Sequence, residues 1–239
     1  FTVPRTPQGH PVVIQAGQSG RGVDFAARWG ELLFMSNPSL AGAKANYAAT
    51  KNAIAAAGRD PEQVKIANLT FPVVGRTMAE AEDKRAAYDE LPNLIDDLSL
   101  LSEGLNFDFS IKDLDTPLSD TDVQEMTGIQ GIRNQVLEVT GKDNPTVRDF
   151  VNVSGRGRLA HPVVGGPVEL ADHFEEWFTS SACDGFVIAG THMPGAFEDF
   201  VDLVVPELQK RGLFRNEYQG TTLRDHLGID LPERGSWRR

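Results

Sequence analysis

The chain has 239 residues, of which 40% are hydrophobic and 24% charged, as in folded globular domains, so a fully disordered chain is excluded. Its 34 acidic and 23 basic residues give a net charge of −11. This charge repels phosphate backbones and anionic bilayers, and argues against a nucleic-acid or membrane-surface binder.

Apolar and β-branched runs bounded by proline or glycine predict four strands, and the stretches between them predict helices. The predicted strands are residues 11–17, 31–36, 64–75 and 184–189. The predicted helices are residues 23–29, 39–57, 78–91, 168–179 and 197–211. Residues 77–80 resemble a capping box at the start of the third helix, and Gly212 is placed to end the last one.

Residues 92–166 interrupt this alternation and predict an insertion, with helices at 123–139 and 146–153. Its acidic run, residues 113–122, is predicted to be a solvated loop, because the spacing lacks the glycine and final glutamate of an EF-hand. We expect residues 1–228 to form part of one barrel domain and residues 229–239 to form a polar tail with little to hold it in place.

Apolar strands separated by helices are typical of an α/β fold with a parallel sheet. A complete (β/α)8 TIM barrel needs about 250 residues and eight strands. Four strands fit half a barrel, whose open edges would need a cover or a partner.

The segment with the clearest chemistry joins the first predicted strand to the first helix. Its residues Gly17, Gln18, Ser19 and Gly20 combine glycines, a hydroxyl and the free amides of a helix start, which suit a phosphate dianion. Neither the dinucleotide fingerprint nor the Walker pattern is present. An ordinary strand-to-helix turn with Ser19 as the cap fits the spacing equally well.

Other candidate residues are few. His192 follows the end of the last predicted strand, where barrel active sites are built, and is a candidate for the substrate site. The five histidines show no metal-ligand spacing, and we expect Glu169 and His173 to be a surface polar pair. The single cysteine, Cys183, reads as a buried small hydrophobe, and its isolation favours a reducing compartment, the cytoplasm.

Several stretches of sequence resemble the bacterial-luciferase-like flavin monooxygenases, in the nitrilotriacetate and dibenzothiophene-sulfone monooxygenase branch. Near the start these are residues 11–19, 25–27 and 31–34, and in the last third they are residues 166–172, 183–188 and 194–213. The resemblance implies a (β/α)8 barrel that binds reduced FMN and uses O2 to insert one oxygen atom into a small organic substrate. It also implies a separate NAD(P)H-dependent flavin reductase as the source of FMNH2.

By position, Ser19 matches the serine that holds the FMN phosphate, with Gly17, Gln18 and Gly20 completing the cradle. Some relatives have a second serine where Gly20 stands. The family's enzymes are longer, so the resemblance implies that this chain is the C-terminal half and is inactive without an N-terminal half that supplies most contacts to the flavin ring. The sequence identifies no catalytic residue. We expect a homo-oligomer, and the sequence does not give its number of subunits.

Two other functions stay open. The chain is alternatively a truncated or split, non-catalytic barrel segment that binds a phosphorylated ligand or a partner chain. A barrel isomerase or aldolase ranks below both, because no lysine stands at a strand end where a Schiff base would form.

Overall fold

The computed structural model describes residues 4–17, 20–91, 93–154 and 162–235. Its sheet consists of the strands β1 (Ile14–Ala16), β2 (Leu32–Met35), β3 (Lys65–Val74), β4 (Pro162–Gly165) and β5 (Gly185–Ile188). All the pairings are parallel: β1 with β2, β2 with β3, and β3 with both β4 and β5. The predicted parallel α/β sheet is therefore confirmed.

The strand β4 was not predicted, because its four residues begin with a proline and are too short to show a period. They lie inside the range assigned to the insertion, residues 92–166, so that range ends too late. Phe71 pairs with Pro162 and Val74 with Gly165, which makes β4 a regular parallel neighbour of the second half of β3.

Helices follow the strands as predicted, with small shifts of their ends. They are α1 (Gly20–Trp29), α2 (Leu40–Ala56), α3 (Met78–Asp89), α8 (Pro167–Thr179), α9 (Gly195–Asp199) and α10 (Val205–Lys210). A further helix, α11 (Leu223–Leu227), was not predicted. The Thr77 hydroxyl accepts from the Glu80 amide at 3.2 Å, as a capping box requires. The Glu80 carboxylate, however, accepts from the Arg76 amide and not from that of Thr77, so the box is displaced by one residue.

The helix predicted at 197–211 is one run with a widened turn. Between α9 and α10, residues Phe200–Val204 form a π-helical turn. Pro206 lies two residues after its end and has no amide hydrogen to donate to the preceding turn, which is the physical reason for an irregularity at this point.

The insertion is a helical module made of α4 (Leu94–Leu105), α5 (Asp120–Glu125), α6 (Gln130–Thr140) and α7 (Val147–Ser154). Its core, which includes Leu101, Phe109 and Phe150, contains only residues of the module itself. The single helix predicted at 123–139 is wrong. The amides of Gly128 and Ile129 donate to the end of α4, at 3.0 and 2.8 Å, and this pairing separates α5 from α6.

The helices α1, α2, α8 and α10 pack on one face of the sheet. The side chains of Leu33, Ile66 and Phe186 point to that face, into clusters formed with these helices. Because side chains alternate along a strand, Ile14, Leu32, Phe34, Leu69 and Val187 point to the other face. That face is partly open, and Ile14 is 60% exposed.

The C-terminal segment is held more firmly than expected. Arg224, in α11, is 2% exposed, and Ile229 is 7% exposed. The Asp230 amide donates to Gln63 at 2.7 Å, so the chain is anchored beyond Gly228. The domain boundary at residue 228 stays a prediction. Over the described ranges, no helix combines the length and apolarity needed to cross a membrane.

Candidate functional site

The carboxyl edge of the sheet, where the parallel strands end, carries the candidate residues. The predicted phosphate turn follows β1, and His192 follows β5. Ala16 is in register with Phe34, Phe34 with Ala67, and Ala67 with Gly185. The end of β1 is therefore level with the start of β5, and β5 extends three residues, about 10 Å, further in the strand direction.

The two described residues of the turn after β1, Gly17 and Gly20, have the backbone that the sequence predicts. Gly17 adopts φ +134°, a conformation that L side chains rarely adopt, and Gly20 is the first residue of α1. Of the predicted cradle, Gln18 and Ser19 lie outside the described residues. Their role in holding a phosphate stays a prediction.

The start of α1 is suited to an anion. Its first turn contains no acidic residue, and its free amides carry partial positive charge. A Cβ atom placed on Gly20 would have no neighbour within 4 Å among the described residues, so the side of this first helical residue is not packed against them. The donor set and the space fit a phosphate group.

A hydrogen-bonded pair stands at the same edge. The Tyr88 hydroxyl, near the end of α3, lies 2.9 Å from Nδ1 of His192, and the Thr191 hydroxyl lies 3.2 Å from the same nitrogen. A Cβ on Gly195 would be 2.6 Å from Nε2, so a side chain at this position would displace the ring from where it lies. Sequence reasoning missed Tyr88, and 104 positions separate it from His192 without any local signal.

The helix that carries Tyr88 is tied to α9 by a second contact. Lys84 donates to the Val74 carbonyl at 2.9 Å and to the Asp199 carboxylate at 2.8 Å. Partial burial lowers the pKa of Lys84, but the hydrogen bonds to Asp199 and Glu80 outweigh it, and the net pKa is raised. Lys84 thus stays charged and fixes α3 against the end of β3.

The opposite, amino-terminal edge holds two polar clusters of a structural kind. In the first, Asp184 accepts from Lys51 at 3.0 Å, from Tyr47 at 2.8 Å and from the Ile66 amide at 2.9 Å. Burial and the Asp184 carboxylate raise the pKa of Tyr47, so its hydroxyl stays protonated and donates. In the second, Arg224 binds Glu31. This edge of α/β barrels contributes to stability and not to catalysis.

The remaining candidates of the sequence are accounted for by packing. Cys183 is 2% exposed, and burial raises the pKa of its thiol to about 12, which leaves it unreactive. His173 stacks on Trp177 with ring centroids 5.1 Å apart, and burial lowers its pKa. Within the described parts of the chain, no three His, Cys, Asp or Glu side chains are grouped to bind a metal ion.

A cavity of about 620 Å³ runs along β5. Apolar side chains such as Phe174, Phe186 and Leu213 line it. Among the described residues, β5 pairs with β3 alone, so the cavity marks a free edge of the sheet.

Comparison with characterised proteins gives consistent matches over nearly the whole chain. N-acetyl-S-(2-succino)cysteine monooxygenase of Bacillus subtilis is 41% identical over 97% of the chain and 53% of its own length. Nitrilotriacetate monooxygenase component A of Aminobacter aminovorans is 40% identical over 98% and 51%, respectively. Dibenzothiophene-sulfone monooxygenase of Rhodococcus erythropolis is 38% identical over 97% and 51%.

Solved structures agree with these matches. DmoA from Hyphomicrobium sulfonivorans superposes with a TM-score of 0.78 and 34% identity, over 95% of this chain and 47% of its own. Riboflavin lyase RcaE, solved with modified FMN and riboflavin, superposes with a TM-score of 0.78 and 28% identity, over 95% and 49%. The chain thus spans about half the length of the relatives it matches.

The profile of one family, luciferase-like monooxygenase, matches residues 1–185. The matched region includes the phosphate turn, α1 and the strands β1 to β4. With relatives 38–41% identical over at least 97% of the chain, the nitrilotriacetate and dibenzothiophene-sulfone branch predicted from the sequence is confirmed. The chain belongs to the luciferase-like monooxygenase family and carries part of its TIM-barrel fold.

Proposed function

We propose that this chain is part of an FMNH2-dependent monooxygenase of a two-component system, which inserts one oxygen atom from O2 into a small organic substrate. The observation that carries the proposal is the start of α1: glycine-lined, free of acidic residues and open at the carboxyl edge of the sheet. The chain's membership of the luciferase-like monooxygenase family indicates the class of reaction that an anion site at this position would serve.

The residues of this chain have an anchoring role in that reaction. The α1 amides and the Ser19 hydroxyl hold the FMN phosphate, and Gly17 turns the backbone toward it. Bound reduced FMN supplies the oxygen-transfer chemistry. Removing Ser19 should therefore weaken FMN binding more than it changes the turnover of bound cofactor.

The free edge of β5 and the open apolar face of the sheet indicate that further strands belong to this barrel. Unpaired edges and exposed apolar faces are normally covered in native proteins, so further strands are needed to complete the barrel. We propose that the chain is inactive until a preceding N-terminal half supplies those strands. A separate flavin reductase as partner, a homo-oligomer and a cytoplasmic location remain predictions from the sequence.

The test is FMN binding by the chain and by a version extended at its amino terminus by about 200 residues, the remainder of a barrel. In the extended protein, Ser19→Ala should raise the Kd for FMN about 10- to 150-fold, the worth of one hydrogen bond to a charged group. Ser39→Ala is the matched control, since Ser39 caps α2 by accepting from the Gly42 amide. It should leave the Kd unchanged.

A Kd that is unaffected by Ser19→Ala contradicts the phosphate site. Consumption of O2 in the presence of chemically reduced FMN tests the enzyme assignment separately. FMN binding without any O2 consumption would favour the alternative, a non-catalytic barrel segment that binds a phosphorylated ligand.

A further inference from the structure

The hydrogen bonds of the His192 ring indicate which of its two nitrogens is free to bind a ligand. Two hydroxyl groups, those of Tyr88 and Thr191, approach the same ring nitrogen, Nδ1. A phenol hydroxyl is a better donor than an imidazole N–H, and imidazole nitrogen is a better acceptor than phenol oxygen. With the Tyr88 hydroxyl as the donor to Nδ1, the ring proton of a neutral imidazole at His192 would lie on Nε2.

The ring is also fixed in position. Its centroid lies 5.8 Å from that of Tyr88, and the ring lies beside Gly195, which has no side chain to cover Nε2. Tyr88 is in turn held by its helix, because Lys84 of the same helix binds Asp199 and the Val74 carbonyl. His192 itself is exposed, so the ring is oriented without being sealed from ligands.

The position along the sheet separates His192 from the phosphate turn. The strand before His192 ends about 10 Å beyond the end of β1, as the register of the sheet shows. A ligand anchored at α1 and a second molecule near His192 therefore occupy different levels of the same edge.

We propose that His192 is a substrate-binding residue that donates its Nε2–H to an oxygen acceptor of the substrate, a carboxylate or sulfone oxygen, and that Tyr88 is its positioning residue. This inference rests on the proposed function. It places the substrate among molecules with strong oxygen acceptors and sets it apart from simple alkanes and sulfides, which have none.

The first test reads the tautomer directly. Long-range ¹H–¹⁵N spectra of the unmodified chain resolve the imidazole nitrogens, and His192→Gln identifies the His192 signals among those of the five histidines. We expect a proton on Nε2 in the unmodified chain and a mixture of tautomers in Tyr88→Phe. A proton on Nδ1 in the unmodified chain would overturn the proposal.

The second test uses defined probes. Nitrilotriacetate, which carries carboxylates, should shift the His192 Nε2 signals, whereas dimethyl sulfide should not. In the extended, FMN-loaded protein, His192→Gln should raise the KM for nitrilotriacetate about 10-fold with a smaller change in kcat, the signature of lost ground-state binding. Tyr88→Phe should raise the KM about 3-fold, since Thr191 still contacts the ring.

FMN binding is measured on the same samples, and both variants should keep the Kd of the parent. Loss of FMN binding in the parent itself would count against the proposed function and leave the tautomer test valid. Equal responses of His192 to both probes, or an unchanged KM in His192→Gln, would refute the substrate role.

Discussion

Arg224 binds Glu31 across 193 positions of the chain, through two hydrogen bonds of 2.8 Å from its guanidinium to the two carboxylate oxygens. Its side chain is 3% exposed and that of Glu31 is 14% exposed. The same guanidinium donates to the carbonyls of Gln8 and Asp230. This one side chain thus joins the first and last described segments to the strand β2.

The cost of losing this contact should be large. Arg224→Met should lower the free energy of unfolding by about 3–5 kcal/mol, because the partly buried Glu31 carboxylate loses its guanidinium partner. Arg85→Met is the matched control, since Arg85 forms a partly exposed pair with Asp89 one helical turn away. It should cost less than about 1 kcal/mol in the same urea titration. Equal costs for the two variants would contradict the role given to Arg224.

The same pair should make stability depend on pH. Burial of Glu31 raises its pKa, but the hydrogen bonds from Arg224 and the Val13 amide outweigh it, and the net pKa lies below the ordinary value of 4.5. Because the folded pKa is depressed, this stabilisation is fully present above about 4.5 and is lost as pH falls through the folded value. Thermal melts between pH 6 and 3 should show a weaker pH dependence for Glu31→Gln. If the melting temperature of Glu31→Gln depended on pH as strongly as that of the parent, other titrating groups would be the cause of the acid sensitivity.

Cys183 should be chemically silent while the protein is folded. Burial raises the pKa of its thiol to about 12, so almost no thiolate exists at pH 8. A colourimetric disulfide reagent should therefore label the single thiol only after denaturation. Rapid labelling of the native chain would show that the segment before β5 opens readily.

The two glycines of the phosphate turn should respond differently to alanine. Gly17→Ala places a side chain at φ +134° and should destabilise the chain by about 1–3 kcal/mol. Gly20→Ala adds a methyl group in open space at a helical position, and should be neutral or slightly stabilising. Unfolding in urea distinguishes them. A neutral Gly17→Ala variant would mean that this turn is easily rearranged.

The insertion should unfold as a separate unit. A Cβ on Gly128 would lie 2.3 Å from the Gly104 carbonyl oxygen, so Gly128→Ala should force α4 away from the segment between α5 and α6. Hydrogen exchange should then lose protection in α4 to α7 while β2 and β3 keep theirs. Gly131→Ala, at a position with no neighbour within 4 Å, is the control and should change neither region. Equal loss of protection in the strands would show that the module and the sheet share one cooperative unit.

Local sequence signals were sufficient to predict most of the strands and helices. The strand at 64–75 and the helix at 39–57 are encoded by a long apolar run and an alanine-rich segment, and the structure confirms both. The four-residue strand β4 and the break before α6 were not found. Both depend on pairing with distant backbone, at β3 and at the end of α4, which local periodicity does not report.

The residues of the candidate site also differ in whether a local sequence signal reveals them. Gly17 and Gly20 could be placed from sequence because a turn and a helix start have local signatures. Tyr88 could not, since a tyrosine on an amphipathic helix looks like any half-buried residue until its partner across the sheet is known. Arg224 was hidden for a related reason, as a lone arginine in a polar stretch is normally solvated.

The self-contained core of the helical insertion has an evolutionary consequence. Because its buried side chains meet one another and not the strands, the cost of a replacement in this core falls on the module and not on the packing of the sheet. Coordinated replacements that keep the module's own packing could therefore reshape it while the strands keep their register.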